Sequence, residues 1–146
     1  MTNHEVLSQQ QRALGFAMEG KFDEALFIIE QNIKRYPGNS NNYYFKGRIH
    51  DELLEYEASI IAYKKCLKKD KKNRKAKFNL GLAYLSLENF KEGCSFYHFR
   101  HSDDVIRRFN KVQHWYPKCR PGKVLIWAEQ GIGDEVMFAQ LIGNLK

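Results

Sequence analysis

A chain of 146 residues that is 43% hydrophobic and 14% aromatic has enough apolar surface for one compact unit or slightly more, which excludes global disorder. No window approaches the ~20 apolar residues of a membrane span, and residues 1–11 carry neither a basic start nor an apolar stretch, so the expected setting is cytoplasmic. The formal charge of +7 is concentrated in Lys64, Lys65, Lys68, Lys69, Lys71, Lys72, Arg74, Lys75 and Lys77, with only Asp70 opposing them. No aromatic residue interleaves between Leu67 and Lys77, so a base-stacking platform is missing. The run is read instead as solvated surface where one helix ends and the next begins, with lysines favouring the helix dipole, and nucleic acid is not the expected partner. Three cysteines, Cys66, Cys94 and Cys119, make an odd number without a CxxC pair and are read as reduced thiols.

In chain order, the first predicted element is a helix pair near residues 5–36, with Gly20 suited to end its first helix ahead of Phe22. Pro37-Gly38-Asn39-Ser40 then breaks the chain and supplies a cap for a second pair near 40–70. Asn73 can cap a third pair near 74–100. In its first helix Phe78, Leu82 and Leu85 share one stripe while Leu80, Tyr84 and Leu87 share another, so the helix is apolar over much of its circumference. Such a helix must be covered on two sides.

The three pairs repeat one pattern. At a shift of 34, Ala13 falls on Gly47 and Gly81, Phe16 on His50 and Tyr84, and Phe22 on Tyr56 and Phe90. Ala25 falls on Ser59 and Gly93, and Ile29 on Tyr63 and Tyr97. The chemistry explains the period: small residues let helices approach closely, and aromatic residues fill the space between turns.

Beyond residue 100 the period fails. Val105, Ile106, Phe109 and Val112 form a short apolar stripe after Ser102-Asp103-Asp104, read as a capping helix, and a linker with Pro117 and Pro121 follows. Residues 123–128 are a β-prone run, 129–134 a glycine-bearing turn and 135–145 a helical pattern. The expected fold is therefore an all-α helical-hairpin solenoid of about three repeats (6–39, 40–73 and 74–101), a capping helix and linker at 102–122, and a strand–loop–helix opening of an α/β domain at 123–146.

Two constellations invite chemistry. Gly131 and Gly133 permit close backbone approach, but Glu129, Asp134 and Glu135 surround the loop with negative charge and Val136 stands where a dinucleotide motif needs its third glycine. Asp134 is read foremost as the cap of the following helix. Cys94, His98 and His101 share a helical face without a nearby fourth ligand, so no metal and no cofactor is expected.

The columns resemble the tetratricopeptide repeat family: small Gly47 and Gly81, Tyr84 a turn later, Phe90 opening a second helix and Pro37 closing the first unit. Ser59, Gly93, His50 and Lys71 depart from the usual pattern. The resemblance implies protein or peptide binding on a concave surface lined by the first helix of each pair, here Gln10, Leu14, Tyr44, Phe45, Arg48, Phe78, Asn79 and Leu82. Because Leu14, Phe45, Phe78 and Leu82 stand where carboxylate-clamp members place Lys, Asn and Arg, a clamp for a terminal carboxylate is rejected. Packing against a following domain or an adjacent repeat is an equal alternative for these apolar residues.

The segment Trp127-Ala128-Glu129-Gln130-Gly131-Ile132-Gly133-Asp134-Glu135-Val136-Met137-Phe138 resembles the start of the GT-B glycosyltransferase-like domain that follows such repeats in a group of bacterial proteins. That resemblance implies an acceptor-side loop at Glu129, Gln130, Gly131 and Gly133, with Asp134 as candidate general base. One strand and one helix cannot form a sheet, so the chain is read as the truncated N-terminal part of a larger protein that does not transfer sugar alone. The expected role is an interaction scaffold whose partner is a protein, a peptide or its own missing catalytic domain.

Overall fold

The structure, a computed structural model, describes residues 3–100, with side chains from Val6 onward. The capping helix and linker expected at 102–122 and the strand–loop–helix expected at 123–146 lie outside the described residues. Among the described residues there are six helices, α1 (Asn3–Met18), α2 (Phe22–Arg35), α3 (Ser40–Glu52), α4 (Tyr56–Lys69), α5 (Arg74–Ser86) and α6 (Phe90–Tyr97), a 3-10 turn over His98–Arg100, and no strand. No described helix is long and apolar enough to cross a membrane.

The helices begin and end where local chemistry dictates. Asn39 and Asn73, one repeat apart, cap α3 and α5: their side-chain oxygens accept from the backbone N–H of Asn41 at 3.0 Å and of Ala76 at 2.9 Å. Between the two helices of each pair the same turn recurs. The backbone N–H of Lys21, Glu55 and Asn89 donates to the carbonyl of Phe16, His50 and Tyr84, each at 2.9 Å. These are the six-to-one bonds of a Schellman turn, which requires a left-handed residue just past the helix. Gly20 fills that place at φ +75° in the first pair, but Leu54 (φ 58°) and Glu88 (φ 57°) fill it in the others. The turn is therefore built three times, with glycine used once.

The pairs stack in order, each helix packing on the next in sequence, and α1 also touches α3 and α3 touches α5. No such contact joins α2 to α4 or α4 to α6. The first helices of the pairs consequently form the inner, concave side and the second helices splay along the outside. Two cores result. Ala13, Ala25, Ile29 and Ile49 centre one, with Phe16, Phe22 and Phe45 against it; Tyr63, Cys66, Ala76 and Leu80 centre the other, with Tyr44, Tyr56 and Phe96 against it.

The small-residue columns set these cores. A Cβ on Gly47 would stand 2.6 Å from the fully buried Tyr63 ring, and one on Gly81 would stand 2.9 Å from the Phe96 Cβ. Gly93 is as tight against Leu85, at 2.6 Å. The aromatic column is buried less evenly: Phe22 and Tyr56 are half-buried, whereas Phe90 is 63% exposed.

The left-handed turns give a direct prediction. Leu54 is 70% exposed, so replacing it removes little buried area while relieving a conformation that costs a branched residue about 1 kcal/mol. Leu54→Gly is expected to stabilise the chain by roughly 0.5–1 kcal/mol, and Gly20→Ala to destabilise it by a similar amount. The reading is the urea midpoint at constant slope. A Leu54→Gly midpoint at or below that of the parent would contradict the assignment.

Candidate functional site

On the concave side a cleft of about 260 Å³ opens between α1, α3 and the start of α5. Leu7, Gln10 and Gln11 reach it from α1, Asn41, Tyr44 and Phe45 from α3, and Asn73 and Lys75 from the α4–α5 turn and first turn of α5. The i, i+3, i+4 spacing on α1 and α3 turns these side chains to one face. The lining has one cation, Lys75, and no carboxylate. Leu7 is 52% exposed and gives the cleft an accessible apolar wall.

Of the residues expected on this face, Gln10, Tyr44 and Phe45 line the cleft. The others lie elsewhere. Arg48 pairs with Glu52 at 3.9 Å, Phe78 tilts against Tyr97 at 5.9 Å between ring centroids, Leu14 is half-buried, and Leu82 is 39% exposed. Asn79 donates to the Tyr63 hydroxyl at 3.2 Å. Sequence reasoning missed Leu7, Gln11, Asn41, Asn73 and Lys75. Leu7 was detectable as an apolar residue one turn before Gln10, but Asn73 carried only a capping signal. Glu129, Gln130, Gly131, Gly133 and Asp134 lie outside the described residues, as does His101; Cys94 and His98 are exposed at the end of the third pair.

Gln10 needs a correction as a contact residue. It is 1% exposed, and its Nε2 donates to the Asn42 Oδ1 at 2.7 Å across 32 residues of sequence. Its role is to join α1 to α3 beneath the cleft. The Gln10 Oε1 and the Asn42 Nδ2 are buried without a partner, so the single hydrogen bond leaves half of each amide unmatched.

A second polar link crosses the next repeat. The Tyr63 hydroxyl donates to the Asp51 carboxylate and accepts from Asn79, tying α4 to α3 and α5. Desolvation raises the Asp51 carboxyl above its ordinary value, with the Tyr63 hydrogen bond opposing the shift. Burial first, and then the Asp51 partner, push the Tyr63 phenol upward, so it stays a proton donor. Burial also pushes the Cys66 thiol up to about 11, leaving it protonated and unreactive at neutral pH.

The basic run adjoins the cleft through Asn73 and Lys75. Folding supplies it with rings that its own segment lacks: Lys64 sits 5.4 Å from the Tyr84 centroid, Lys69 5.5 Å from Tyr43 and Lys77 4.5 Å from Phe99. Each ring already carries an ammonium group over its face. The expectation that these cations favour the helix dipole holds for Lys68 and Lys69 at the C-terminus of α4. It fails for Arg74, Lys75 and Lys77, which crowd the positive pole of α5, a helix with no acidic residue in its first turn. There the Asn73 cap, worth ~1 kcal/mol, holds the start of the helix.

Residues 40–73 match the tetratricopeptide repeat family. The chain is also similar to the solved structure of MamA AMB-1 in its P212121 form, with a TM-score of 0.56 and 16% identity over 75% of this chain and 61% of that one. At that identity the likeness establishes the fold alone. The chain thus spans less than two thirds of the length of the structure it matches. No curated protein matches it. The class defined is a helical-hairpin solenoid whose second pair is similar to a tetratricopeptide repeat.

The amide pair yields a test of what holds the inner face together. Asn42→Leu alone should cost about 1–3 kcal/mol, because it strands the whole Gln10 amide in the core. Joining it with Gln10→Met should recover most of that loss, since both unmatched groups then disappear. A double-mutant cycle on thermal or urea unfolding checks this; strictly additive losses would contradict the pairing.

Proposed function

We propose that this chain is a protein-interaction scaffold whose concave cleft takes an extended peptide segment. The observation that supports the reading is the cleft itself. It combines the accessible Leu7 side chain, the Tyr44 and Phe45 rings and the amide groups of Gln11 and Asn41. Apolar walls with spaced donors and acceptors suit a peptide, whose backbone needs hydrogen bonds and whose side chains need pockets. The buried polar links below hold the helices that carry these groups, which reduces the ordering cost of binding. Arg48, which pairs with Glu52, and Asn79, which donates to Tyr63, do not line this cleft, and its lining offers one cation in place of the cluster a carboxylate clamp needs.

The test begins with peptides selected from a random library on the full chain. Leu7→Asp and Lys75→Glu change exposed cleft residues outside both cores, so the circular dichroism should stay unchanged, and Lys75→Glu, which puts an acid at the positive pole of α5, should raise the melting temperature slightly. Affinity for the selected peptides should fall roughly tenfold or more, equivalent to about 1.4 kcal/mol. Unchanged affinity in both variants would place binding elsewhere.

The motif at 127–138 favours a narrower reading, in which the scaffold serves a glycosyltransferase-like domain with Asp134 in its acceptor loop. It rests on the sequence resemblance. The reading frame after Lys146 decides it: further alternating strands and helices are expected, and a stop codon there would overturn it.

A further inference from the structure

A second groove lies away from the concave face. It has a volume of about 960 Å³ and is lined only by α1 and α2. A shift of 34 carries its residues Gln9, Arg12, Phe16, Phe27, Ile28 and Gln31 onto Tyr43, Lys46, His50, Ile61, Ala62 and Lys65. Those six line the groove of about 480 Å³ between α3 and α4, into which α2 sets Glu30, Ile33 and Lys34. Glu30 there meets Lys46 at 2.6 Å, and that contact holds its carboxyl below the usual value. The α1–α2 groove is therefore the repeat-equivalent of one that α2, packed on α3, walls on its open side in the same solenoid. Among the described residues no helix takes that place here, and Phe27 is 64% exposed.

The outward side of α2 indicates what fits. Asp23 and Glu24 occupy its first turn, Lys34 and Arg35 its last, and Phe27 and Gln31 lie between them on the same side. None of these four charged residues forms an ion pair within the described residues. The pattern is self-complementary about Ile29. If a second α2 lies antiparallel across a two-fold axis at that residue, Asp23 meets Arg35 of the other copy and Glu24 meets Lys34, each twice. The two Phe27 side chains then start about 6 Å apart along the helices, and the helix dipoles oppose. An isologous contact of this kind closes on itself.

We propose that the α1–α2 face is a homodimer interface, in which two copies of this chain pack α2 against α2 antiparallel around Phe27. It is independent of the peptide reading and uses the opposite side of α1–α2 from α3. The full chain should sediment as a dimer at micromolar concentration. Phe27→Glu should weaken self-association roughly tenfold or more without changing the circular dichroism.

Charge exchange keeps the proposal testable if Phe27→Glu unfolds the chain. The Lys34→Glu/Arg35→Glu variant makes the four charges on this side of α2 all acidic, and Asp23→Lys/Glu24→Lys makes them all basic; each alone should be monomeric. Mixed together, the two should form a one-to-one heterodimer that weakens with added salt. A monomeric parent chain would overturn the interface, even if the face captured a helix from another protein. So would a dimer that either charge variant retains, or a mixture that stays monomeric.

Discussion

Everything in the solenoid follows from how closely α3 and α4 approach at Gly47. With no Cβ there, the Tyr63 ring lies on the α3 backbone, and a methyl group in that position would meet ring carbons at 2.6 Å. The contact brings the Tyr63 hydroxyl to Asp51 at the end of α3 and to Asn79 on α5, so one side chain fixes three helices. Apolar packing is non-directional and tolerates sliding between ridges. Hydrogen bonds from a buried phenol do not. Gln10 and Asn42 do the same between α1 and α3, again on the inner side. The concave face is thus positioned by polar pairs beneath it, and its accessible residues need only supply contacts.

The same logic separates the inside from the ends. An interior pair is covered on both sides, and its neighbours satisfy its aromatic column. Among the described residues the α1–α2 pair leaves open the groove whose repeat-equivalent on α3–α4 is walled by α2, and Phe90 on α6 is more exposed than Phe22 and Tyr56. Repeat proteins bury their core by stacking, so a terminal pair keeps an apolar face unless a polar cap or a partner covers it. On α2 that face carries Phe27 between opposite charges, which is neither a polar cap nor a plain core surface. This intermediate chemistry suits association between separately folded molecules.

What the sequence disclosed follows the range of each interaction. The columns Ala13/Gly47/Gly81 and Ala25/Ser59/Gly93 were legible because close helix approach permits only small residues, whatever lies further away. The Asn39 and Asn73 caps were legible because a cap acts within three residues. The left-handed turn was legible only at Gly20: Leu54 and Glu88 adopt the same backbone under the pull of the helix pairs on either side, and neither residue type announces it. Gln10 looked like a surface residue because its partner lies 32 positions away. The cleft was half legible for the same reason, since α1 and α3 contributions follow from helical spacing whereas Asn73 and Lys75 enter it only through the stacking of the third pair.

The basic run shows how far that long-range stacking reaches. Residues 64–77 hold nine of the 24 basic residues and one of the 17 acidic ones, so the remainder of the chain, with 15 basic against 16 acidic, is nearly neutral. In linear form the run has cations and no rings. Folded, it borrows Tyr43 from α3, Tyr84 from α5 and Phe99 from the 3-10 turn, one for each of Lys69, Lys64 and Lys77. Exposed cation–ring contacts of this kind are worth ~0.5–1 kcal/mol each. That is comparable to the 0.3–1 kcal/mol by which a cation at a helix N-terminus opposes the dipole. The ring beneath Lys77 therefore offsets its unfavourable place at the start of α5. The same contact keeps an ammonium over a face on which a base would otherwise stack. The charge surplus is retained by the fold's own aromatic residues, and it borders the peptide cleft at Lys75, the one charge in the lining.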